Sequence, residues 1–128
     1  MKPLQNVTHE IKYHFVFCTR YRRKVLLGDV EESFKKLLYD NICKEYGWEI
    51  IFLKVYPDYC HLYLKALPTD RPSDIMARIK SFTSRHLRSF EHLNHLESLW
   101  TRSYFVSTDP YVTSFEVDKF VNSQKTRG

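Results

Sequence analysis

One run of eight residues, 59–66 (YCHLYLKA), constrains the fold more than any other part of the sequence. Small and aliphatic residues occupy every second position, from Cys60 to Ala66. The positions between them hold larger and more polar residues: Tyr59, His61, Tyr63 and Lys65. Because successive side chains of a β-strand point to opposite faces, the run predicts a strand with one buried face and one more polar face.

The order of the predicted strands and helices indicates which fold contains this strand. β-Branched and aromatic residues predict further strands at 11–18, 48–56 and 99–108. Apolar residues at helical spacing predict helices over 30–46, 74–90 and 114–125. The order β-α-β-β-α-β is that of a ferredoxin-like α+β fold, a split-βαβ antiparallel sheet with two helices on one face. The extra C-terminal helix is expected to cover the polar face of the third strand.

Capping residues predict where the helices begin and end. Asp29, with Glu32 three residues later, resembles a capping box. Ser73 is expected to cap the second helix, and Gly47 to end the first.

With 128 residues and no linker or repeat, residues 1–128 are expected to form a single domain. No apolar run is long enough to span a membrane, and the N-terminus lacks the apolar core of a signal peptide. We therefore expect a cytoplasmic protein without a membrane partner.

Charge suggests a polyanionic partner. The chain has 20 Lys and Arg against 15 Asp and Glu, a net charge of +5. Cations gather on the turn after the first strand and on one face of the second helix: Arg20, Arg22, Arg23, Lys24, Arg78, Lys80, Arg85 and Arg88. Together with Tyr13, Tyr21 and Phe82, these two features predict a groove that tracks the phosphates of a nucleic acid. The alternative is that both are solvated surface.

Among the residues that carry chemistry, His61 stands out because it lies on the polar face of its strand. A metal site needs about three protein ligands, and Gln124 could approach from the last helix, whereas Asp58 is out of phase. The alternative is a hydrogen-bonded structural histidine. We expect His86 to lie in the core and His9, His92 and His95 to form no site.

Other kinds of site find little support. The cysteines, Cys18, Cys43 and Cys60, are odd in number and widely spaced, which predicts buried reduced thiols. With three glycines in the whole chain, no Gly-rich loop can cradle a phosphate. No Ser-His-Asp triad or dinucleotide fingerprint is present.

The chain resembles a known family over almost its whole length. The string KYHFVFCTRYRRKVLLG (residues 12–28) resembles the first strand and basic turn of the IS200/IS605-type transposases, which are single-tyrosine enzymes of the HUH (His-hydrophobic-His) class. The resemblance continues in the same order through residues 48–64 (WEIIFLKVYPDYCHLYL), 73–87 (SDIMARIKSFTSRHL), 99–108 (LWTRSYFVST) and 120–124 (FVNSQ).

The resemblance implies a fold and a chemistry. These transposases share the ferredoxin-like sheet, work as dimers and bind imperfect hairpins in single-stranded DNA. A tyrosine on the last helix attacks the scissile phosphodiester and forms a 5′-phosphotyrosine. Mg²⁺ or Mn²⁺, held by the two histidines of the motif and a glutamine, polarises the phosphate.

Carried over position by position, the family motifs are only partly kept. The Asp-His-hydrophobic-His string corresponds to Asp58, Tyr59, Cys60 and His61, so Tyr59 replaces the first histidine. The Tyr-x-x-x-Gln string corresponds to residues 120–124, so Phe120 takes the nucleophile position and the metal-binding glutamine is kept as Gln124. A third departure is the sequence 109–111 (Asp-Pro-Tyr), where the family has a Gly-rich hinge that Pro110 would stiffen.

The sequence therefore predicts a homodimeric, transposase-like protein that binds hairpin-forming single-stranded DNA and has lost, or nearly lost, strand cleavage and metal binding. Whether it is still an enzyme stays open, because another hydroxyl could attack, with Tyr59, Tyr104 and Tyr111 as candidates. Two further alternatives are a repressor that pairs with an active relative, and a ferredoxin-like regulatory module that binds a small molecule and no DNA.

Overall fold

A computed structural model describes residues 10–124 and contains one four-stranded sheet. The strands are β1 (Ile11–Cys18), β2 (Glu49–Tyr56), β3 (Tyr59–Ala66) and β4 (Phe105–Ser107). Their order is β2-β3-β1-β4, and every neighbouring pair is antiparallel. This is the strand order of the split-βαβ sheet, so the predicted α+β, ferredoxin-like fold is confirmed.

Three helices accompany the sheet. The first, α1, begins with Gly28–Lys36, continues through a π-helical segment, Leu37–Ile42, and finishes with Cys43–Tyr46. Gly47 then takes a left-handed conformation with φ of 73°, and it ends the helix as predicted. The second, α2, is Pro72–Leu87, and the third, α3, is Ser114–Ser123. None of the helices within residues 10–124 is long and apolar enough to cross a membrane.

The main core lies between one face of the sheet and the helices α1 and α2. β1 and β3 supply every second side chain to it, including Phe15, Phe17, Leu62 and Leu64. The ring centroid of Trp100 lies 4.7 Å from that of Phe17 and 5.4 Å from that of Phe34 on α1. These aromatic contacts tie α1 to the sheet and to the chain segment before β4.

The opposite face of the sheet carries the remaining side chains of β1 and β3. His14, Val16 and Cys18 of β1 lie there beside Tyr59, His61 and Tyr63 of β3. Helix α3 covers part of this face, because its Val117 and Val121 pack against Val16 and Cys18. All three cysteines are buried and unpaired, as predicted, and burial raises the pKa of Cys18 to about 11 and that of Cys43 to about 12.

The predicted N-caps of α1 and α2 are both wrong. The first helix begins one residue before Asp29, with Leu27 at the N-cap position and no side-chain cap. The second begins at Pro72 with Arg71 at the N-cap position, not at Asp74 after a Ser73 cap, because the fixed φ of proline suits the first helical position. Only α3 has a capping box, formed by Thr113 and Glu116. Its predicted end at Lys125 lies outside the described residues.

Two further expectations are corrected. The predicted fourth strand, 99–108, is interrupted: Phe105–Ser107 forms β4, Trp100 forms an isolated bridge with Thr19, and the Lys80 ammonium binds the backbone carbonyls of residues 101–103 between them. His86 is exposed on α2 and does not lie in the core. Its Nδ1 bonds to the Phe82 carbonyl at 2.9 Å, and its ring lies against that of Phe82.

The Phe34→Ala substitution tests the aromatic link between α1 and the sheet. Phe34 has no exposed surface, so the cavity left behind should lower the free energy of unfolding by about 3–5 kcal/mol. Tyr39→Ala, on the same helix but 46% exposed, is the control and should change it by less than about 0.5 kcal/mol. Urea denaturation measures both, and similar values for the two variants would contradict the assignment.

Candidate functional site

Two histidines meet on the sheet face that α3 partly covers. In the register of β1 against β3, Val16 lies opposite His61 and His14 opposite Tyr63, so the two imidazoles are diagonal neighbours. His14 Nδ1 lies 2.9 Å from His61 Nε2, and the two residues are only 3% and 7% exposed. Sequence reasoning singled out His61 but missed His14. The signal was present, because His14 alternates in phase with Val16 and Cys18 on β1.

A backbone carbonyl fixes how the two rings hold their protons. His14 Nε2 lies 3.3 Å from the carbonyl oxygen of Pro110, which can only accept a hydrogen bond. His14 therefore donates from Nε2, and its Nδ1 accepts from the Nε2–H of His61. The proton of His61 sits on Nε2, which leaves Nδ1 of that ring as a free acceptor nitrogen.

Burial keeps both rings neutral at pH 7. It lowers the pKa of His14, and the Pro110 carbonyl only partly offsets this. It lowers the pKa of His61 to about 4, with smaller contributions from His14 and from Lys54 on β2. Since desolvation disfavours the charged form of histidine, the pair is a hydrogen-bonded neutral chain.

Beside His61, a cleft of about 120 Å³ separates α3 from β2 and β3, and Lys54, Tyr56, Tyr59, Ser114 and Asp118 also line it. The ring of Tyr59 stacks on that of Tyr56 with centroids 4.4 Å apart. Burial raises the pKa of Tyr59, and neighbouring Tyr56 and Asp118 raise it further. Tyr59 thus presents a neutral phenol where the family motif has an imidazole.

Phe120 and Gln124 lie further along α3. The Phe120 ring packs against Phe105 of β4, with centroids 6.1 Å apart, and carries no hydroxyl that could attack a phosphate. Gln124 is buried, and its Oε1 accepts a hydrogen bond of 2.6 Å from the Ser103 hydroxyl. It comes seven residues after Val117, which lines the cleft, so the rise of a helix puts it roughly 10 Å further on.

Arg22 ties the basic turn, residues 19–24, to both α3 and the β2–β3 turn. Its Nε and Nη2 each donate to Asp58 Oδ2 at 2.9 Å. Its Nη1 donates to the carbonyl of Val121 at 3.4 Å, near the end of α3. Tyr21 and Arg22 adopt positive φ angles of 57° and 51°, which turns the chain so that Arg22 reaches these partners.

Three adjoining hollows lie on the surface between α1, α2 and the basic turn, and neighbouring hollows share lining residues. The first, of about 470 Å³, lies between α1 and α2. The second, of about 440 Å³, shares Ser81 and Arg85 with it. The third, of about 250 Å³, lies against the basic turn and shares Glu97 and Ser98 with the second. We call these three hollows the basic groove.

The eight cations predicted to bind DNA divide into three groups. Arg20, Arg23, Arg78, Arg85 and Arg88 line the basic groove, and Arg88 also donates to the backbone carbonyls of Ser84 and Leu96. Arg22 is held by Asp58, and Lys80, which also borders the groove, donates to the carbonyls of Thr101, Arg102 and Ser103. Lys24 is exposed but borders none of the three hollows. Arg102 lines the groove as well, and sequence reasoning missed it.

Burial explains why Lys80 differs from the others. It lowers the pKa of Lys80 to about 8, and the three carbonyls satisfy all three donors of the ammonium. Arg78 lines the groove, and its guanidinium lies 4.5 Å from the centroid of the Tyr46 ring. Tyr46 in turn stacks on Trp48 at 4.9 Å. One end of the basic groove is thus built from an arginine and two aromatic rings.

Comparison with known proteins identifies the family. A family model for IS200-like transposases matches residues 7–124, which is nearly the whole chain. The chain belongs to the IS200-like transposase family. The ISDra2 transposase TnpA of Deinococcus radiodurans is 32% identical over 130 residues, which cover 97% of this chain and 91% of the relative. The transposase of element IS200 from Salmonella typhimurium is 26% identical over 113 residues, covering 84% and 72%.

Solved structures agree with this family assignment. The crystal structure of a predicted transposase from Deinococcus radiodurans R1 matches with a TM-score of 0.81 and 31% identity, covering 93% of this chain and 94% of that one. A REP-associated tyrosine transposase bound to a REP hairpin matches with a TM-score of 0.54 and 17% identity, covering 88% and 62%. The second likeness concerns the fold alone.

Members of the family depend on metal ions in general, but the donor set here does not fit one. His61 has only Nδ1 left to offer, Tyr59 is a neutral phenol stacked on Tyr56, and Gln124 is bonded to Ser103 two helical turns away. No group of three His, Cys, Asp or Glu side chains within residues 10–124 could hold an ion. Of the expected ligands, His61 and Tyr59 line one cleft, and Gln124 does not join them.

The chain of hydrogen bonds from Pro110 through His14 to His61 predicts one tautomer. Nitrogen-15 NMR should find the His61 proton on Nε2 and a titration midpoint of about 4. In His14→Phe, the His61 ring loses the acceptor of its Nε2–H group and one cause of its lowered pKa. His61 should then populate both tautomers and titrate at higher pH, closer to 6.5.

His86→Phe on α2 is the control, since it leaves both partners of His61 in place and should not move the His61 resonances. A His61 proton found on Nδ1 in the unmodified protein would contradict the hydrogen-bond chain.

Proposed function

We propose that this protein is a homodimeric, transposase-like protein that binds hairpin-forming single-stranded DNA and has lost, or nearly lost, strand cleavage. The observation that carries the proposal is the combination of the arginine-lined basic groove with a phenylalanine, Phe120, at the family's nucleophile position. Binding groups are retained and the attacking group is missing.

The basic groove supports the DNA-binding part. Its arginines project from two separate elements, so one DNA backbone could contact both the basic turn and α2. Glu97, at the junction of the second and third hollows, is the one carboxylate that both share among the described residues. The similarly folded REP-associated transposase was solved bound to a hairpin, which agrees with a hairpin as the ligand.

The missing chemistry supports the second part. A phenyl ring cannot form a phosphotyrosine, and the phenol of Tyr59 is a poor substitute for an imidazole on Mg²⁺ or Mn²⁺, the ions that the family resemblance implies. We infer that any binding of these ions is strongly weakened. The residues of this chain would then position DNA through charge and hydrogen bonds without cleaving it.

Two exposed aromatic residues support the homodimer. Tyr111 is 83% exposed and Phe115, at the start of α3, is 72% exposed. Aromatic residues are enriched at protein interfaces, and Tyr111 lies three residues before α3, close in sequence to Phe115. A monomer in light scattering would remove this part of the proposal.

An active transposase that uses a different tyrosine is the second candidate. The position of Tyr59 favours this candidate, because of Tyr59, Tyr104 and Tyr111 it is Tyr59 that lines the cleft beside His61. Tyr104 instead packs edge-on against Phe15, and the Lys80 ammonium lies 5.3 Å from its ring. A Tyr59 nucleophile would need a base, and the free Nδ1 of His61 is the nitrogen available on that ring.

Binding to a DNA hairpin should weaken steeply with salt and depend on the basic groove. Arg85→Glu should reduce affinity by about tenfold or more and lower the salt slope by about 1, because a phosphate contact is lost. Lys36→Glu makes the same charge change on an exposed part of α1 outside the groove, and should have little effect. Fluorescence anisotropy across a salt series measures both. No binding at low salt, or equal effects of the two variants, would favour the regulatory module without DNA binding.

Cleavage should be absent in the unmodified protein. Incubation with a hairpin-bearing oligonucleotide and Mn²⁺ should give no covalent protein–DNA band, because Phe120 offers no hydroxyl. The double variant Tyr59→His with Phe120→Tyr restores both family positions and should form the band on denaturing gels. A band from the unmodified protein that Tyr59→Phe abolishes would overturn the inactive assignment and support the second candidate.

A further inference from the structure

One face of α2 binds the chain segment 96–103, which lies between this helix and β4. Polar and cationic side chains recur on this face at spacings of three and four residues, so they point to the same side of the helix. Each makes a hydrogen bond to the segment: Lys80 and Arg88 donate to backbone carbonyls, Thr83 accepts from the Trp100 indole, and Ser84 accepts from the Leu99 N–H. The segment is therefore held by α2 from its first residue to its last.

Lys80 holds the last three residues of this segment. Its Nζ lies 2.8 Å from the carbonyl oxygen of Thr101, 3.3 Å from that of Arg102 and 2.9 Å from that of Ser103. In an extended strand successive carbonyls alternate in direction, whereas the backbone here bends at Arg102 and all three converge on one atom. The ammonium is thus the common partner of the whole bend.

Arg102 is the residue of this bend that reaches the basic groove. Its side chain is exposed and lines the second hollow, where Arg85 of α2 also lies. The residues on either side of it are anchored, since Thr101 is buried and the Ser103 hydroxyl donates to Gln124. The backbone that carries Arg102 is therefore fixed directly before and after it.

We propose that Arg102 binds a phosphate of the DNA hairpin and that Lys80 is a positioning residue, which holds Arg102 at the groove without binding DNA itself. Three carbonyls already accept from the three donors of the Lys80 ammonium, so none is left for a phosphate. A guanidinium on an anchored backbone loses less conformational freedom on binding than one on a loose loop. The inference rests on the proposed function, and it separates the cations that contact DNA from one that places another cation.

A double-mutant cycle distinguishes positioning from direct contact. Arg102→Ala should lower hairpin affinity by about fivefold and the salt slope by about 1, because one phosphate contact is lost. Lys80→Met removes the ammonium, keeps an unbranched side chain and should have the same two effects. The double variant should then lie within about twofold of either single variant, because both changes remove the same contact. Fluorescence anisotropy with a hairpin probe across a salt series measures all four proteins.

Direct contact of Lys80 with DNA predicts a different result. The two losses would then multiply to about 25-fold, and the salt slope of the double variant would fall by about 2. That result would overturn the positioning role of Lys80. So would an affinity that either single variant leaves unchanged.

Two controls accompany the cycle. Lys36→Met makes the same substitution on an exposed part of α1 and should leave the affinity unchanged. Arg85→Ala removes an arginine of α2 itself, so its effect should multiply with that of Lys80→Met, and coupling as strong as that of Arg102 would contradict the specific link. Circular dichroism checks that each variant folds. Partial unfolding would lower the fraction of binding protein without changing the salt slope.

A pH series gives a second readout that needs no change at Lys80. Burial lowers the pKa of Lys80 to about 8, so the ammonium loses a proton between pH 7 and 9 and can no longer donate to all three carbonyls. Hairpin affinity of the unmodified protein should fall by about threefold over this range, and that of Arg102→Ala should fall much less. An equal fall in both proteins would overturn the proposal.

The groups that face the Lys80 ammonium come from several elements. The thiols of Cys18 on β1 and Cys60 on β3 face it, and burial raises the pKa of both, to about 11 for Cys18. The Tyr104 ring lies 5.3 Å away. Further charged side chains border the same hollow: Arg85, Arg88 and Glu97. The thiols stay protonated up to pH 9, and the comparison of the two proteins cancels the contribution of the other groups.

Failure of the proposed function gives a different result. An unmodified protein that binds no hairpin at low salt would disprove the proposed function and this contact together. A protein that binds the hairpin equally well with and without Arg102 and Lys80 would keep the proposed function and disprove only the contact.

Discussion

The register of β1 against β3 is the constraint on which the rest of the molecule depends. These two strands form the centre of the sheet, and their pairing sends Phe15, Phe17, Leu62 and Leu64 to one face. The same pairing sends His14 and His61 to the other, close enough to share a proton. A slip of one residue would exchange the two sets and expose the apolar core. One alignment thus sets both the stability of the fold and the composition of the site.

The fold could be predicted from the sequence because its signals are local. Alternation in 59–66 and helical spacing in α1 and α2 repeat over many residues, so single exceptions do not hide them. The His14–His61 contact is different, since two residues far apart in sequence meet through strand register. The hydrogen bonds of Lys80 could not be predicted either, for another reason. Its spacing on α2 matches that of a surface cation, and only the fold brings three carbonyls to its ammonium. The family resemblance placed the chemistry at Tyr59 and Phe120, but it could not locate Gln124 against Ser103.

Binding and cleavage differ in how they are distributed over the molecule. The proposed DNA affinity is shared among several arginines of the basic groove, so the loss of one group removes a fraction of it. Cleavage needs one hydroxyl and a few ligands at fixed positions, so the loss of one group abolishes it. Substitutions such as Phe120 and Tyr59 can therefore remove the reaction while leaving the recognition surface intact. Phe120 even adds packing, because its ring contacts Phe105.

The two edges of the sheet are short or irregular. β4 has three residues, Phe105–Ser107, and the carbonyls of residues 101–103 before it accept hydrogen bonds from the Lys80 ammonium. At the opposite edge, the pairing of β2 is irregular between Ile50 and Phe52. A long regular edge would offer unpaired backbone groups to the edge of another molecule, and short or irregular edges discourage such pairing. Both edges of this sheet are therefore poor templates for edge-to-edge pairing with another molecule.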